Sequence, residues 1–268
     1  MIGIMQGRLL PPVGGRVQAF PGAGWAREFP LARALGYDSL ELTIETASLE
    51  SHPVSSAGGR AVLADLAAEH GIALAGLCCD VFMETPFNRP AAAPILVRLI
   101  EAAAAAGLPM LELPMLGANS LKGEATQKAF GVLLDAVLER ADAAGIDILL
   151  ECDLAPGPLA AFLARHRHKR LGINYDCGNS TWYGFDPDDE IPAFGAHIRN
   201  VHIKDCTRAD YSVPLGSGDT RFDAVFGHLA AIGYRGDFIV QAARQRNDVA
   251  AARNYLAFGR ALVASYLS

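Results

Sequence analysis

The chain repeats one phrase of hydrophobic and polar positions: an alanine-rich amphipathic stretch, a glycine, and a short apolar run. It is written as "LARALG" before "YDSLEL", "LAAEHG" before "IALAGLC", "EAAAAAG" before "LPMLEL", "RADAAG" before "IDILLE" and "HLAAIG" before "YRGDFIVQ". Glycine just past an amphipathic segment is a helix C-cap signal, and an apolar run without strict alternation fits a strand buried on both faces. Each phrase therefore predicts a helix followed by a strand. "IGIM" at the start, "LGINYD" and "IRNVHIK" add three strands, giving eight that end near Met5, Leu42, Cys78, Leu113, Glu151, Asp176, Ile203 and Gln241. Those ends lie between 25 residues apart (Glu151 to Asp176) and 38 apart (Leu113 to Glu151), the length of a βα unit with a right-handed crossover. Eight such units in 268 residues point to a single (β/α)8 barrel domain over residues 1–268, closed by a last helix in "DVAAARNYLAFGRALVASYL". The competing doubly wound sheet is disfavoured, because no G-x-G-x-x-G follows the first strand. No Pro/Ser-rich linker divides the chain.

Composition narrows the function classes. Hydrophobic residues make up 51%, enough for a sizeable core, and the net charge of −6 with scattered Lys and Arg argues against nucleic acid. The apolar stretches are cut by Glu101 and Glu112, and "MIGIMQGRLLPP" lacks the basic and long apolar regions of a signal peptide. A soluble cytoplasmic protein with no membrane partner is expected, and a homo-oligomer is compatible with the composition. The five cysteines are odd in number and have no C-x-x-C spacing, so reduced thiols are expected.

Barrel enzymes carry their chemistry at the C-terminal ends of the strands. The last four strands end on Glu151 in "LLECD", Asp176 in "NYDCGN", His202 in "VHIKD" and Gln241 in "IVQAAR". Taken singly, each could be a helix cap, a loop ion pair or a hydrogen-bonded core residue. In four consecutive strand ends, two carboxylates, an imidazole and an amide oxygen form a mixed O/N set that suits one Mn²⁺, Mg²⁺, Co²⁺ or Zn²⁺ ion. Cys152 and Cys177 follow two of these residues, and strand alternation turns them to the opposite face, as packing residues. Gln6 and Arg8 leave the first strand, where they either contact a substrate or cap the barrel mouth.

The motifs "IGIMQGRL", "NYDCGNSTWYGFD", "NVHIKD" with the following "VPLGSGDTRFDAVF", and "FIVQAAR" together resemble the sugar isomerase/epimerase group of the xylose isomerase-like TIM barrels, over almost the whole chain. The resemblance implies one metal held by Glu, Asp, His and Glu from strands five to eight, which fall here on Glu151, Asp176, His202 and Gln241. It also implies that Asp80 in "GLCCD", together with Lys204 and Arg208, lines a sugar pocket. Two positions depart from the commonest pattern: Asn179 stands where many relatives have a histidine near the substrate, and Gln241 replaces a carboxylate.

The second departure bears on mechanism. A glutamine oxygen still reaches a cation, but two carboxylates and a divalent ion sum to zero charge and hold each other less strongly than three carboxylates would. Glutamine also takes no proton. Relatives that epimerise ketoses look to use the strand-five and strand-eight glutamates on the two faces of the enediolate, whereas here Glu151 is the evident base. One base moves a proton between C1 and C2, which places aldose–ketose isomerisation ahead of epimerisation unless Asp80, Glu112 or a metal-bound water supplies a second proton. The expected protein is a divalent-metal-dependent isomerase or epimerase of a small sugar or sugar phosphate. Glu151 is its base and ligand, and Gln6, Arg8, Asp80, Glu112, Asn179, Lys204, Arg208 and Arg244 are its substrate contacts. The glycines of "GSGDTRFD" mark either a phosphate site or a tight turn, and Trp182 and Tyr183 either stack on a sugar or pack over the rim. A polyol dehydratase, which begins with the same proton abstraction, and a sugar-binding barrel without catalysis remain as alternatives. A three-metal abasic-site endonuclease of the same superfamily is set aside by the seven histidines and the acidic charge.

Overall fold

The computed structural model describes residues 1–267, and its eight strands pair in chain order into a closed parallel barrel. They are β1 (Ile2–Met5), β2 (Ser39–Thr43), β3 (Ala73–Cys78), β4 (Met110–Met115), β5 (Asp147–Cys152), β6 (Leu171–Asp176), β7 (Ile198–Ile203) and β8 (Asp237–Val240). Each expected strand end lies within two residues of the observed one. The helices are α1 (Glu28–Leu35), α2 (Ala57–His70), α3 (Val81–Glu84), α4 (Ala92–Ala105), α5 (Glu124–Ala144), α6 (Pro156–Arg165), α7 (Cys177–Tyr183), α8 (Pro187–Phe194), α9 (Phe222–Ala231) and α10 (Asp248–Tyr266). The glycine punctuation acts as expected where α1 and α2 end: Gly36 and Gly71 take φ of 95° and 59°, and the chain turns from them into β2 and β3. A side chain at either position would meet the steric penalty of the left-handed region. Among the described residues no helix is long and apolar enough to cross a membrane.

The main core lies between barrel and helices. Leu40, Leu42, Leu77, Leu111, Leu113, Ile148, Leu150, Val201 and Ile203 point outward from the strands and are buried with Phe29, Leu63, Leu96, Phe162 and Phe226 of the helices. Each such side chain contributes about 1.5–3 kcal/mol by leaving water. Inside the barrel the apolar residues include the small cluster of Met5, Ala75, Cys78 and Ile239. The remaining interior includes Glu41, Glu112, Asn174, Asn200 and His202, all buried. Two register shifts, at Leu40/Glu41 against β3 and at Ile173/Asn174 against β7, lie where this polar layer begins. A shift of one residue changes which side chains face inward, so these irregularities help to aim Glu41 and Asn174 at the barrel axis.

The loop between β1 and α1 folds over the barrel mouth and is pinned from two sides. Arg244 donates to the carbonyls of Gly7, Leu10 (2.9 Å) and Val17 (3.0 Å) and pairs with Asp248 at 2.7 Å. The buried Glu28 carboxyl accepts from the N–H groups of Gly7 and Leu9, at 2.8 and 3.3 Å, and its burial raises its pKa to about 7.

Candidate active site

A hydrogen-bonded column of polar side chains rises from the barrel interior to its C-terminal mouth. At its base Asn200 Nδ2 donates to Glu41 Oε2 (2.8 Å) and Asn174 Oδ1 (3.0 Å). Asn174 Nδ2 in turn donates to Glu151 Oε2 at 3.0 Å and stands 3.1 Å from His202 Nδ1. His202 Nε2 lies 3.0 Å from Glu41 Oε1 and 3.4 Å from Glu112 Oε2. An amide nitrogen only donates and a carboxylate oxygen only accepts, so this network places the proton of the neutral imidazole on Nε2 and turns the Nδ1 lone pair to the Asn174 amide, with Glu151 Oε2 3.6 Å from Nδ1. A metal-ligating histidine is typically oriented in this way, by a carboxylate on its other nitrogen.

Above His202, Asp176 ends β6 and caps α7: its Oδ1 accepts from Asn179 N–H at 2.8 Å. Its Oδ2 is buried without a hydrogen-bond partner among the described residues, 3.8 Å from Lys204 Nζ. Asn179 links the neighbours, donating from Nδ2 to Glu151 Oε1 and accepting from Lys204 Nζ at 2.5 Å. Glu151, Asp176 and His202 each offer one ligand atom within 4.8 Å of the other two, and Glu41, Glu112 and His202 form a second such group below.

Charge is unbalanced in this column. Burial, followed by the charges of Glu151 and Glu41, pushes Glu112 well above the usual carboxylate range. Burial and then Asp176 push Glu151 up as well. For His202, burial alone would lower the pKa, but Glu41, Glu151 and Asp176 together outweigh it and hold the imidazole at about 8. The cluster thus draws protons to itself, and a divalent cation would occupy the same negative field. The unpartnered Asp176 Oδ2, His202 Nδ1, which a cation would take over from the Asn174 amide, and the carboxylate of Glu151 fit a hard or borderline divalent ion.

The column opens into a cavity of about 190 Å³. Arg8, Asp80, Glu112, Glu151, Asn179, Lys204 and Gln241 line it, joined by Gln18, Cys78 and Tyr211. Gln241 Nε2 donates to Gln18 Oε1 at 3.0 Å, which also receives Arg8 Nη2 at 3.2 Å, while Gln18 Nε2 donates to Asp80 Oδ2 at 2.8 Å. Tyr211 covers Lys204, whose Nζ sits 3.6 Å from the ring centroid, and meets Trp182 edge to face at 5.4 Å.

Three expected substrate contacts lie elsewhere. Gln6 is buried below, its Oε1 accepting from Thr43 N–H (3.2 Å) beside His52 Nε2 (3.3 Å). Arg208 is exposed on the loop after β7, away from the cavity lining. Arg244 is committed to the loop carbonyls and Asp248. Tyr183 carries Lys122 over its ring at 5.0 Å. In "GSGDTRFD", the N–H groups of Gly216 and Gly218 both donate to Asp205 Oδ2 at 2.9 Å, so a tight turn organised by a carboxylate accounts for the glycines. Glu41, Gln18, Thr43 and Tyr211 were absent from the sequence reading. Glu41 had a signal, the polar/apolar alternation of "SLELT", which turns it inward. Gln18 and Tyr211 sit in loops without periodicity. A wider cleft of about 1070 Å³ around Met1, Arg33, Asp38 and Arg260 contains neither of the two carboxylate–imidazole groups.

The chain is 25% identical over 271 residues to L-ribulose-5-phosphate 3-epimerase UlaE of Salmonella heidelberg (strain SL476), covering 91% of this chain and 93% of that protein. Among solved structures, a xylose isomerase domain protein from Planctomyces limnophilus superposes with a TM-score of 0.75 at 18% identity, covering 99% of this chain and 98% of that one. An L-ribulose 3-epimerase superposes equally well, at 0.75 and 17% identity, over 99% and 95% of the two chains. These structures share the fold. The family model of the xylose isomerase-like TIM barrels matches residues 29–262, from α1 into α10, and to that family the chain belongs.

Proposed function

We propose that the protein is a divalent-metal-dependent isomerase or epimerase of a small sugar or sugar phosphate, working by proton abstraction next to a carbonyl. The observation that carries this reading is the meeting of Glu151, Asp176 and His202 beside a cavity of about 190 Å³, which Glu151 also lines. The similarity to a sugar-phosphate 3-epimerase over nearly the full length supports it.

In this reading Glu151, Asp176, His202 and Gln241 would hold the ion, which supplies polarisation of the substrate's carbonyl and hydroxyl oxygens. The chain's own groups do the rest. Glu151 takes the proton from the carbon next to the carbonyl. The Asn179 and Asn174 amides hold the two oxygens of that carboxylate in place. Lys204, seated between Asn179 and Asp176, donates to the oxygen on which negative charge develops. Tyr211 and Trp182 shield that side from water.

Metal analysis of the purified protein, followed by a screen for exchange of substrate C–H with D₂O over ketoses and ketose phosphates, tests the reading. Exchange that disappears with a chelator and returns with Mn²⁺ supports it. A metal-loaded protein that binds a sugar and exchanges nothing is a binding barrel, and elimination of water from a polyol identifies a dehydratase.

Gln241 has its own test. Gln241→Glu adds a third carboxylate to the ligand set, and the Gln18 amide can turn to donate to it. Mn²⁺ affinity, followed by calorimetric titration, should tighten by about tenfold or more, which corresponds to about 1.4 kcal/mol. Equal or weaker affinity removes Gln241 from the ligand set.

A further inference from the structure

We propose that Asp80 is the second acid/base of the site, acting on the face of the substrate opposite Glu151, so that the protein inverts a carbon rather than moving a carbonyl. This rests on the proposed proton abstraction by Glu151.

Position is the first argument. In a closed barrel of eight strands in chain order, β1 stands across the axis from β5. Glu151 ends β5. Asp80 follows β3, and its Oδ2 accepts from Thr43 Oγ1 at the end of β2 (3.1 Å) and from Gln18 Nε2, which the loop after β1 brings to it (2.8 Å), so its partners come from the side away from β5. Asp80 and Glu151 line the same cavity, so a small molecule there reaches a carboxyl group from the β5 wall and another held by the β1 loop and β2. Gln18 also joins Asp80 to Gln241. The wall that carries an amide at the end of β8 thus continues, through one side chain, to a carboxyl group.

The second argument concerns which oxygen carries the proton. Oδ2 is occupied by two donors. Among the described residues Oδ1 meets only the Cys78 thiol, at 3.5 Å, and a thiol is a weak donor. A proton on Oδ1 therefore disturbs no strong hydrogen bond. Burial, the largest influence on this group, favours the protonated form.

Glu112 was the other candidate. It comes from β4, next to β5, and its Oε2 lies 3.4 Å from His202 Nε2, low in the column on the Glu151 side. It shares a face with Glu151, which leaves Asp80 for the opposite one.

The step balances without a co-reactant. Glu151 accepts the proton from carbon as the C–H pair forms the enediolate double bond and the carbonyl π pair moves to oxygen. The Asp80 Oδ1–H proton is then delivered to the other face of the same carbon, the double-bond pair forms the new C–H bond, and the carbonyl re-forms. Glu151 ends protonated and Asp80 ionised. Loss of one proton to solvent and gain of one from it reset the pair.

Asp80→Asn in the Mn²⁺-loaded full chain separates the two half-reactions. The probe is whichever ketose or ketose phosphate in the screen exchanges with wild-type protein in D₂O. Epimer formation should fall by about 100-fold or more, the usual worth of a positioned acid or base. Deuterium should still wash into recovered, uninverted substrate at a rate of the wild-type order, because Glu151 and its surroundings are intact. Epimerisation near the wild-type rate overturns the proposal. So does a parallel loss of exchange and epimerisation, which is what a residue needed only for binding would give. A measurement on wild-type protein stands if the variant misfolds: substrate deuterated at the reacting carbon, turned over once in H₂O, should give unlabelled epimer. Label returned to the epimer, or aldose–ketose conversion with no epimer, also overturns Asp80. Absence of exchange in wild-type protein with every sugar instead defeats the proton-abstraction reading itself.

Discussion

Glu151→Gln should lose carbon–hydrogen exchange by about 100- to 10,000-fold, because proton transfer by a positioned side chain contributes that much. The amide keeps the size of the carboxylate and one oxygen that can accept from Asn174 Nδ2, now 3.0 Å away. The other position becomes an NH₂ facing the Asn179 amide, so Asn179 must turn its oxygen toward residue 151 and release Lys204, with which it now pairs at 2.5 Å. Catalysis therefore loses its base and part of its cation positioning together. Stability should move the other way. Glu151 is buried beside Asp176, with Glu112 on its other side, and burial and like charge raise both glutamates. Removing one carboxylate relieves that repulsion, so the metal-free variant should resist urea at least as well as wild-type protein. Exchange near the wild-type rate, with metal bound, would remove Glu151 from the base role and pass it to Asp80 or Glu112.

The barrel was legible because one physical pattern repeats. An amphipathic helix, a glycine that accepts the left-handed region and a buried strand recur along the chain, and such units have one common closed solution. Glu151, Asp176 and His202 were legible for a related reason: strand ends at the mouth need little further geometry to bring them together. The inside of the barrel was less so. Strands such as "SLELT" and "RNVHI" pass for apolar runs, yet their alternation turns Glu41, Asn200 and His202 inward and the aliphatic residues outward. What loops contribute left no periodic trace. Nothing in the sequence around Gly7, Leu10 and Val17 reveals that their carbonyls converge on Arg244. That convergence turns an arginine read as a substrate contact into the brace of the β1 loop. The same loop supplies Gln18, the side chain that connects Gln241 with Asp80.

Asp205→Ala should destabilise the fold by about 3 kcal/mol and loosen the cavity wall, since one buried carboxylate organises the whole loop after β7. Its Oδ1 accepts from Cys206 N–H (3.0 Å) and Thr220 N–H (3.2 Å), and its Oδ2 accepts from Gly216 and Gly218 N–H, both at 2.9 Å. The first two donors are buried. Water cannot readily replace the lost acceptor there, and each orphaned donor costs about 1–3 kcal/mol. The amides of Gly216 and Gly218 are partly exposed and recover some of their loss from solvent. Gly218 has no substitute in this arrangement, for a Cβ there would stand 2.2 Å from Asp205 Oδ1 and 2.4 Å from the Cys206 carbonyl oxygen. Tyr211 rides on the same loop, over Lys204, so its position depends on this carboxylate although Asp205 is not among the residues that line the cavity. The chemical groups on β5 and β6 are untouched by the substitution. KM for the exchanging sugar should therefore rise more than kcat falls. Urea unfolding with an unchanged m-value gives the stability loss, and hydrogen exchange at residues 216–220 should accelerate well before global unfolding. A loss below about 1 kcal/mol would show that the loop is held by something other than its carboxylate hub.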